Sequence, residues 1–194
     1  STLAGNDLTF TPAQDFNGNE SFTVSVSDGG LSDSETFTVT VNAVNDAPVL
    51  ASISDISFDE DGSGGTSLSA GDVDGDSLEF SITGGDQITA SLSGSDVTFT
   101  APVDYNGSET FTVSVTDGEL TDTQTITVTV NAVNDAPVAT TGLSGTTTED
   151  QSIVIALSGS DIDGDNLSFS LDSDATNGSV TLDGSFATYT PNVN

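Results

Sequence analysis

The pentapeptide Asn-Asp-Ala-Pro-Val stands at 45–49 and again at 134–138, an offset of 89 residues. The match extends well beyond it. Residues 15–49 and 104–138 align without a gap and are identical at 26 of 35 positions, most changes being mild ones such as serine for threonine. Two acidic stretches, DVDGD at 72–76 and DIDGD at 161–165, keep the same offset, as do Glu60 and Glu149. Near the end, TLDGSFATYTP at 181–191 echoes TLAGNDLTFTP at 2–12 after one inserted residue in the region 172–178. A chain that copies itself at this period folds as a row of similar units rather than as one 194-residue core.

Within a repeat the apolar period is two. SFTVSVSDG sets Phe22, Val24 and Val26 on one face and Thr23, Ser25 and Ser27 on the other; ETFTVTVNAV does the same with Phe37, Val39 and Val41. Such alternation predicts strands with one buried face. No window carries capped 3.6-residue periodicity. In the complete repeat, strands are expected near 48–54, 56–59, 66–70, 78–83, 87–93, 96–101, 110–116 and 122–131. Turns are expected at DGSGG, DVDGD, TGGD, SGSD, DYNG and TDGEL. Seven or eight short strands in about 89 residues fit one immunoglobulin-like β-sandwich. The fold class is all-β: tandem sandwiches, with 1–46 the later part of one repeat, 47–135 a complete repeat and 136–194 the earlier part of a third.

Composition narrows function. The chain has 31 acidic residues and no lysine, arginine or histidine, so no side-chain salt bridge forms and acidic groups repel one another throughout. Nucleic acid is excluded as a partner, because phosphate contacts need basic side chains. No apolar run approaches 18 residues, so the segment does not insert in a membrane. Without His, Lys or Cys the common bases and activated nucleophiles are missing, and the Asp pairs recur with the repeat, unlike an active site. The expectation is a protein that is not an enzyme.

Three carboxylates in five residues need a cation from outside the chain. Asp and Gly also suit an ordinary polar turn, but oxygen-only donors on a loop are what Ca²⁺ takes. An EF-hand is excluded, because Ser77 stands where its turn glycine belongs and Thr83 where its bidentate Glu belongs. Further ligands must come from elsewhere in the chain.

FDEDGSGGTSLSAGDVDGDSLEFSI resembles the start of a cadherin repeat, with a Glu near the first strand, then Gly-Thr, then Ala-x-Asp-x-Asp. AVNDAPV is similar to that family's linker between repeats, and Asp15 with Phe22, like Asp104 with Phe111, matches the spacing of its middle acidic motif. DFNG…SFTVSVSDG and TLDGSFATYTP look more closely like the bacterial cadherin-like tandem repeats of large extracellular adhesins of the RTX, type I secreted kind. The resemblance spans the whole chain. It implies Ca²⁺ at the junctions between repeats, stiffening them into an elongated rod at the cell surface. At the second junction the implied ligands are Glu60 and Asp104 from the upstream domain, Asn131, Asn134 and Asp135 from the linker, and Asp161 and Asp163 downstream. At the first, Asp15, Asn42, Asn45 and Asp46 meet Asp72, Asp74 and Asp117. The chain departs from the family pattern at Val44 and Val133, where the linker usually has Asn. Asn45–Asp46 inverts the Asp-Asn order, and Asn17 and Asn106 replace an acidic ligand, which points to fewer ions per junction. Asp76 and Asp165 are extra.

The expected function is a calcium-rigidified extender of an adhesin or surface filament, its partners being calcium ions and neighbouring repeats of the same protein. The alternative is an adhesion module that recognises carbohydrate or another copy. Such a site calls for exposed aromatics, whereas Tyr105 and Tyr189 fall where the other copies carry Phe. The two ends share one phase of the repeat, so the outer sandwiches are expected to be partial. Either the array continues, or 136–194 of one chain is completed head-to-tail by 16–46 of another.

Overall fold

The computed structural model describes residues 1–193. Every regular element in them is a strand, and no helix is long and apolar enough to cross a membrane. The first block carries β1 (Thr2–Ala4), β2 (Asp7–Thr9), β3 (Gly18–Ser27) and β4 (Ser32–Val41). The middle block carries β5 (Val49–Leu50), β6 (Ile56–Asp59), β7 (Ser63–Ser67), β8 (Ala70–Gly71), β9 (Glu79–Gly84), β10 (Thr89–Ser93), β11 (Asp96–Thr100), β12 (Gly107–Thr116) and β13 (Thr121–Asn131). The last carries β14 (Val138–Ala139), β15 (Ile153–Ala156), β16 (Gly159–Ser160), β17 (Gly178–Asp183) and β18 (Phe186–Pro191).

The middle block is the complete sandwich. One sheet runs β6-β13-β12-β9, the other β10-β11-β7, with β5 and β8 paired beside it. Strand alternation decides which residues meet inside. Phe111, Val113 and Val115 of β12 and Ile126, Val128 and Val130 of β13 face the second sheet, all at most 2% exposed. They meet Val97 and Phe99 of β11, with the rings of Phe99 and Phe111 edge to face at 5.1 Å. Each such burial contributes about 1.5–3 kcal/mol. The outer face of the same sheet bears hydroxyls: Ser114 lies opposite Ser81 and Thr123, and Thr112 opposite Thr83 and Thr125.

Two expected elements differ. The strand expected over 48–54 is only β5, after which 51–55 cross irregularly to the other sheet. Side chains of β13 satisfy the backbone there in place of a ladder: Leu50 N–H donates to Asp122, and Gln124 both accepts from Ile53 N–H and donates to its carbonyl. The DGSGG turn is shorter than expected: its first residues do turn, with Gly62 N–H on the Asp59 carbonyl and Asp61 at φ 61°, but Ser63, Gly64 and Gly65 already belong to β7. A Cβ on Gly65 would lie 2.7 Å from the Val97 carbonyl oxygen and one on Gly64 2.7 Å from the Phe58 ring. These glycines permit close strand approach; they do not make a turn. The break between β9 and β10 is held by Glu109, which accepts N–H bonds from Asp86, Gln87 and Ile88.

The first block repeats the sequence of β12 and β13 but not their burial. Val24 and Val26 are 43% and 72% exposed, whereas Val113 and Val115 are sealed at 0%. In the first block Phe10, Phe22 and Phe37 pack on one another, with centroids 4.6–6.0 Å apart, but among the described residues no second sheet closes over the valines. The last block pairs β15-β18-β17 and leaves Val154 and Phe186 more than half exposed.

Candidate metal centres

The acidic loops are built from their own backbone. Asp72 Oδ1 accepts the N–H groups of Asp74 and Gly75 at 2.9 and 3.0 Å, an Asx turn that winds the loop around one carboxylate. Asp161 does the same for Asp163 and Asp165. Gly75 and Gly164, both at φ 80°, supply the left-handed residue that such a loop requires. Each loop then receives the preceding linker through one contact: Asp46 N–H donates to Asp74 Oδ2 at 2.8 Å, and Asp135 N–H to Asp163 Oδ2 at 2.7 Å. This one linker contact is the same at both junctions.

At the second junction carboxylate oxygens of Glu60, Asp135 and Asp163 lie within 4.8 Å of one another. Glu60 is the one buried charged residue of the described chain, at 7% exposure, and accepts the Val133 N–H. Burial first, and then the charges of Asp104, Asp163, Glu60 and Asp61, push the Asp135 carboxyl above its ordinary range. Asp104, Asp135 and Asp161 line one cleft of about 480 Å³. Of the seven residues expected here, five therefore share one region. The two asparagines donate through Nδ2, Asn131 to Asp59 and Asn134 to the Asp135 carbonyl, bonds that leave the Oδ1 atoms a cation would use unoccupied.

The first junction is arranged around the loop itself. Asp72, Asp74 and Asp76 form a second trio within 4.8 Å. Asp72 Oδ2 is buried and has no hydrogen-bond partner. Such an orphaned anionic oxygen is costly unless something external meets it. Asn45 donates to Asp117 Oδ2 at 2.9 Å, and with Asp74 they line a cleft of about 550 Å³. The N–H of Leu120 first, then the Asn45 amide and the N–H of Glu119, hold the Asp117 carboxyl below its ordinary range, so it stays ionised at neutral pH. Asp15 and Asn42 make no side-chain hydrogen bond among the described residues. Asp15 shares with Asp104 a left-handed backbone, φ 59° and 58°.

Three acidic residues outside the implied ligand sets lie beside these clusters: Asp61, Asp76, already noted as extra, and Glu119. Asp76 and Asp61 carry a signal, since they recur as Asp165 and Asp150. Glu119 carries none, because Gly30 replaces it one repeat earlier.

The donor set suits a hard divalent cation. It consists of carboxylates, amides and carbonyls, with no nitrogen or sulfur ligand to favour a transition metal. The orphaned Asp72 oxygen and the converging trio of Glu60, Asp135 and Asp163 both fit such an ion.

No curated protein sequence matches the chain. Among solved structures, human protocadherin-24 EC1-2 is similar over 77% of this chain and 79% of its own, with 19% identity and a TM-score of 0.48. The endo-fucoidan hydrolase MfFcnA4 is similar over 95% of this chain at 20% identity, TM-score 0.40, and surface layer protein SbsC over 91% at 18%, TM-score 0.38. This chain spans 31% of the hydrolase and 25% of the SbsC chain. The model of the bacterial Ig domain matches residues 1–41, 45–129 and 134–194 in turn, a family that is generally not enzymatic. The chain belongs to the bacterial Ig domain family, as three successive units of an all-β Ig-like fold.

Proposed function

We propose that this chain is a calcium-stiffened spacer of an extracellular bacterial adhesin or surface filament. One observation carries the reading: Glu60 from one domain, Asp135 from the linker and Asp163 from the next domain bring their carboxylates together, in a chain without a single basic side chain. With no cation, that convergence is repulsive. Bound Ca²⁺ would supply the opposing charge and accept six to eight oxygen ligands.

The residues do the rest. Glu60 is fixed by burial and by the Val133 N–H; Asp163 is fixed by its Asx-turn loop and holds the Asp135 backbone. The cation then satisfies all three only when the two domains hold one relative orientation. Binding is thereby coupled to junction geometry, and the ligand stabilises that arrangement by mass action. Weak, extracellular-type affinity, about 10⁻⁴–10⁻³ M, fits a site assembled from separate elements. Asp72, Asp74 and Asp76, with Asp46, Asn45 and Asp117 around them, would play the same part at the first junction.

The rival reading, a carbohydrate- or self-recognising module, draws no support from the tyrosines. The Tyr105 hydroxyl donates to Glu109 with its ring on the core, and the Tyr189 hydroxyl donates to the Asn177 carbonyl.

Small-angle scattering in millimolar calcium and in chelator tests the spacer. The expected result is a larger, sharply defined maximum dimension with calcium and a shorter, broader distribution without it, magnesium substituting poorly. An unchanged dimension sinks the mechanism. Asp163→Ala and Asp74→Ala should each reduce the calcium-dependent rise in Tm, while Asp183→Ala, in β17, should not. Equal losses in all three would mean that only overall charge matters.

A further inference from the structure

Sixteen residues of the described chain have positive φ. Twelve are glycines, and the other four are all aspartates: Asp15, Asp61, Asp104 and Asp150. They form two pairs at the 89-residue offset, 15 with 104 and 61 with 150. Glycine adopts this backbone without steric cost, and the chain uses it freely elsewhere. Aspartate is among the few other residue types that adopt it, so a reason for the side chain is to be sought in what it contacts. For Asp104 the second junction supplies the reason. Asp61 was no part of the ligand set that the cadherin resemblance implied.

Its contacts point the same way. Asp61 Oδ1 accepts the Asp104 N–H at 3.2 Å, so the two left-handed aspartates clasp one turn to another across 43 residues of chain. Asp61 also follows Glu60, the buried carboxylate of the junction, directly in sequence. The geometry points to Asp61 as a positioning residue of the second junction's cation site, holding the Asp104 loop where its carboxylate faces Asp135. This rests on the calcium reading above. Partners that orient metal ligands typically change affinity 10–100-fold when removed.

Two variants of the 194-residue chain separate this role from that of an ordinary turn. Asp61→Gly removes the acceptor but keeps a residue at ease in the left-handed backbone. Asp61→Asn keeps the acceptor for Asp104. Calcium titration by calorimetry should show one class of sites weakened about 10–100-fold in Asp61→Gly, the others unchanged, and a smaller loss in Asp61→Asn. In chelator neither variant should melt below the parent. The assignment is overturned if the Asp61→Gly titration superimposes on the parent's, if Asp61→Asn loses as much as Asp61→Gly, or if Tm falls equally with calcium and with chelator. A parent chain that takes up no calcium overturns the calcium reading itself, and this assignment with it.

Discussion

Asp135 is held at its backbone and repelled at its side chain. Its N–H is bound by Asp163, while burial and four neighbouring carboxylates raise its carboxyl pKa. An acid whose pKa is higher folded than unfolded costs stability once pH exceeds the raised value, and the cost disappears as pH falls below the unfolded value near 3.8. Asp117 and Glu109 have the opposite sign. N–H bonds outweigh burial at Glu109, its carboxyl sits low, and its contribution is present above about 4.5 and lost as pH falls through the folded value. In chelator Asp135 therefore works against folding at neutral pH, whereas Asp117 and Glu109 favour it. Asp135→Asn should raise Tm in chelator and lower it in calcium. A change of the same sign in both, by calorimetric melting, would exclude Asp135 as a calcium ligand.

Strands of nearly the same sequence occupy different environments, which isolates what packing contributes. Val26 in β3 and Val115 in β12 hold equivalent repeat positions, yet one is 72% exposed and the other 0%. Threonine has valine's shape with a hydroxyl in place of one methyl. Val115→Thr buries that hydroxyl without a partner and should cost about 1–3 kcal/mol, measured by urea unfolding. Val26→Thr should stay within about 0.5 kcal/mol. Equal costs would show that the first block closes over its valines in solution.

For the whole molecule, charge is the dominant long-range force. A formal charge of −31 acts against every compact arrangement of the three units. Screening shortens from about 30 Å at 0.01 M ionic strength to about 8 Å at 0.15 M. Sodium chloride added to the chelated chain should raise Tm over that range, without restoring the scattering profile seen in calcium. Recovery of the full profile by monovalent salt alone would remove the need for a specific ion.

Alternation of Phe and Val with Thr and Ser was enough to place β12, β13 and the hydroxyl face, because a strand's period of two depends only on local backbone geometry. The 89-residue offset likewise marked the three units and the acidic loops. Other features were out of reach of local pattern. Gly64 and Gly65 read as a turn because no local rule reveals a carbonyl arriving from Val97. The crossing at 51–55 depends on Asp122 and Gln124, some 70 residues away, reaching its backbone. Asp61 lay beside Glu60 throughout, but its hold on Asp104 exists only once two distant turns meet. Period and charge were settled by the sequence itself, since each is a property of neighbours along the chain. Which valines are sealed and which carboxylates converge was decided by tertiary structure, because both depend on what the fold sets against them.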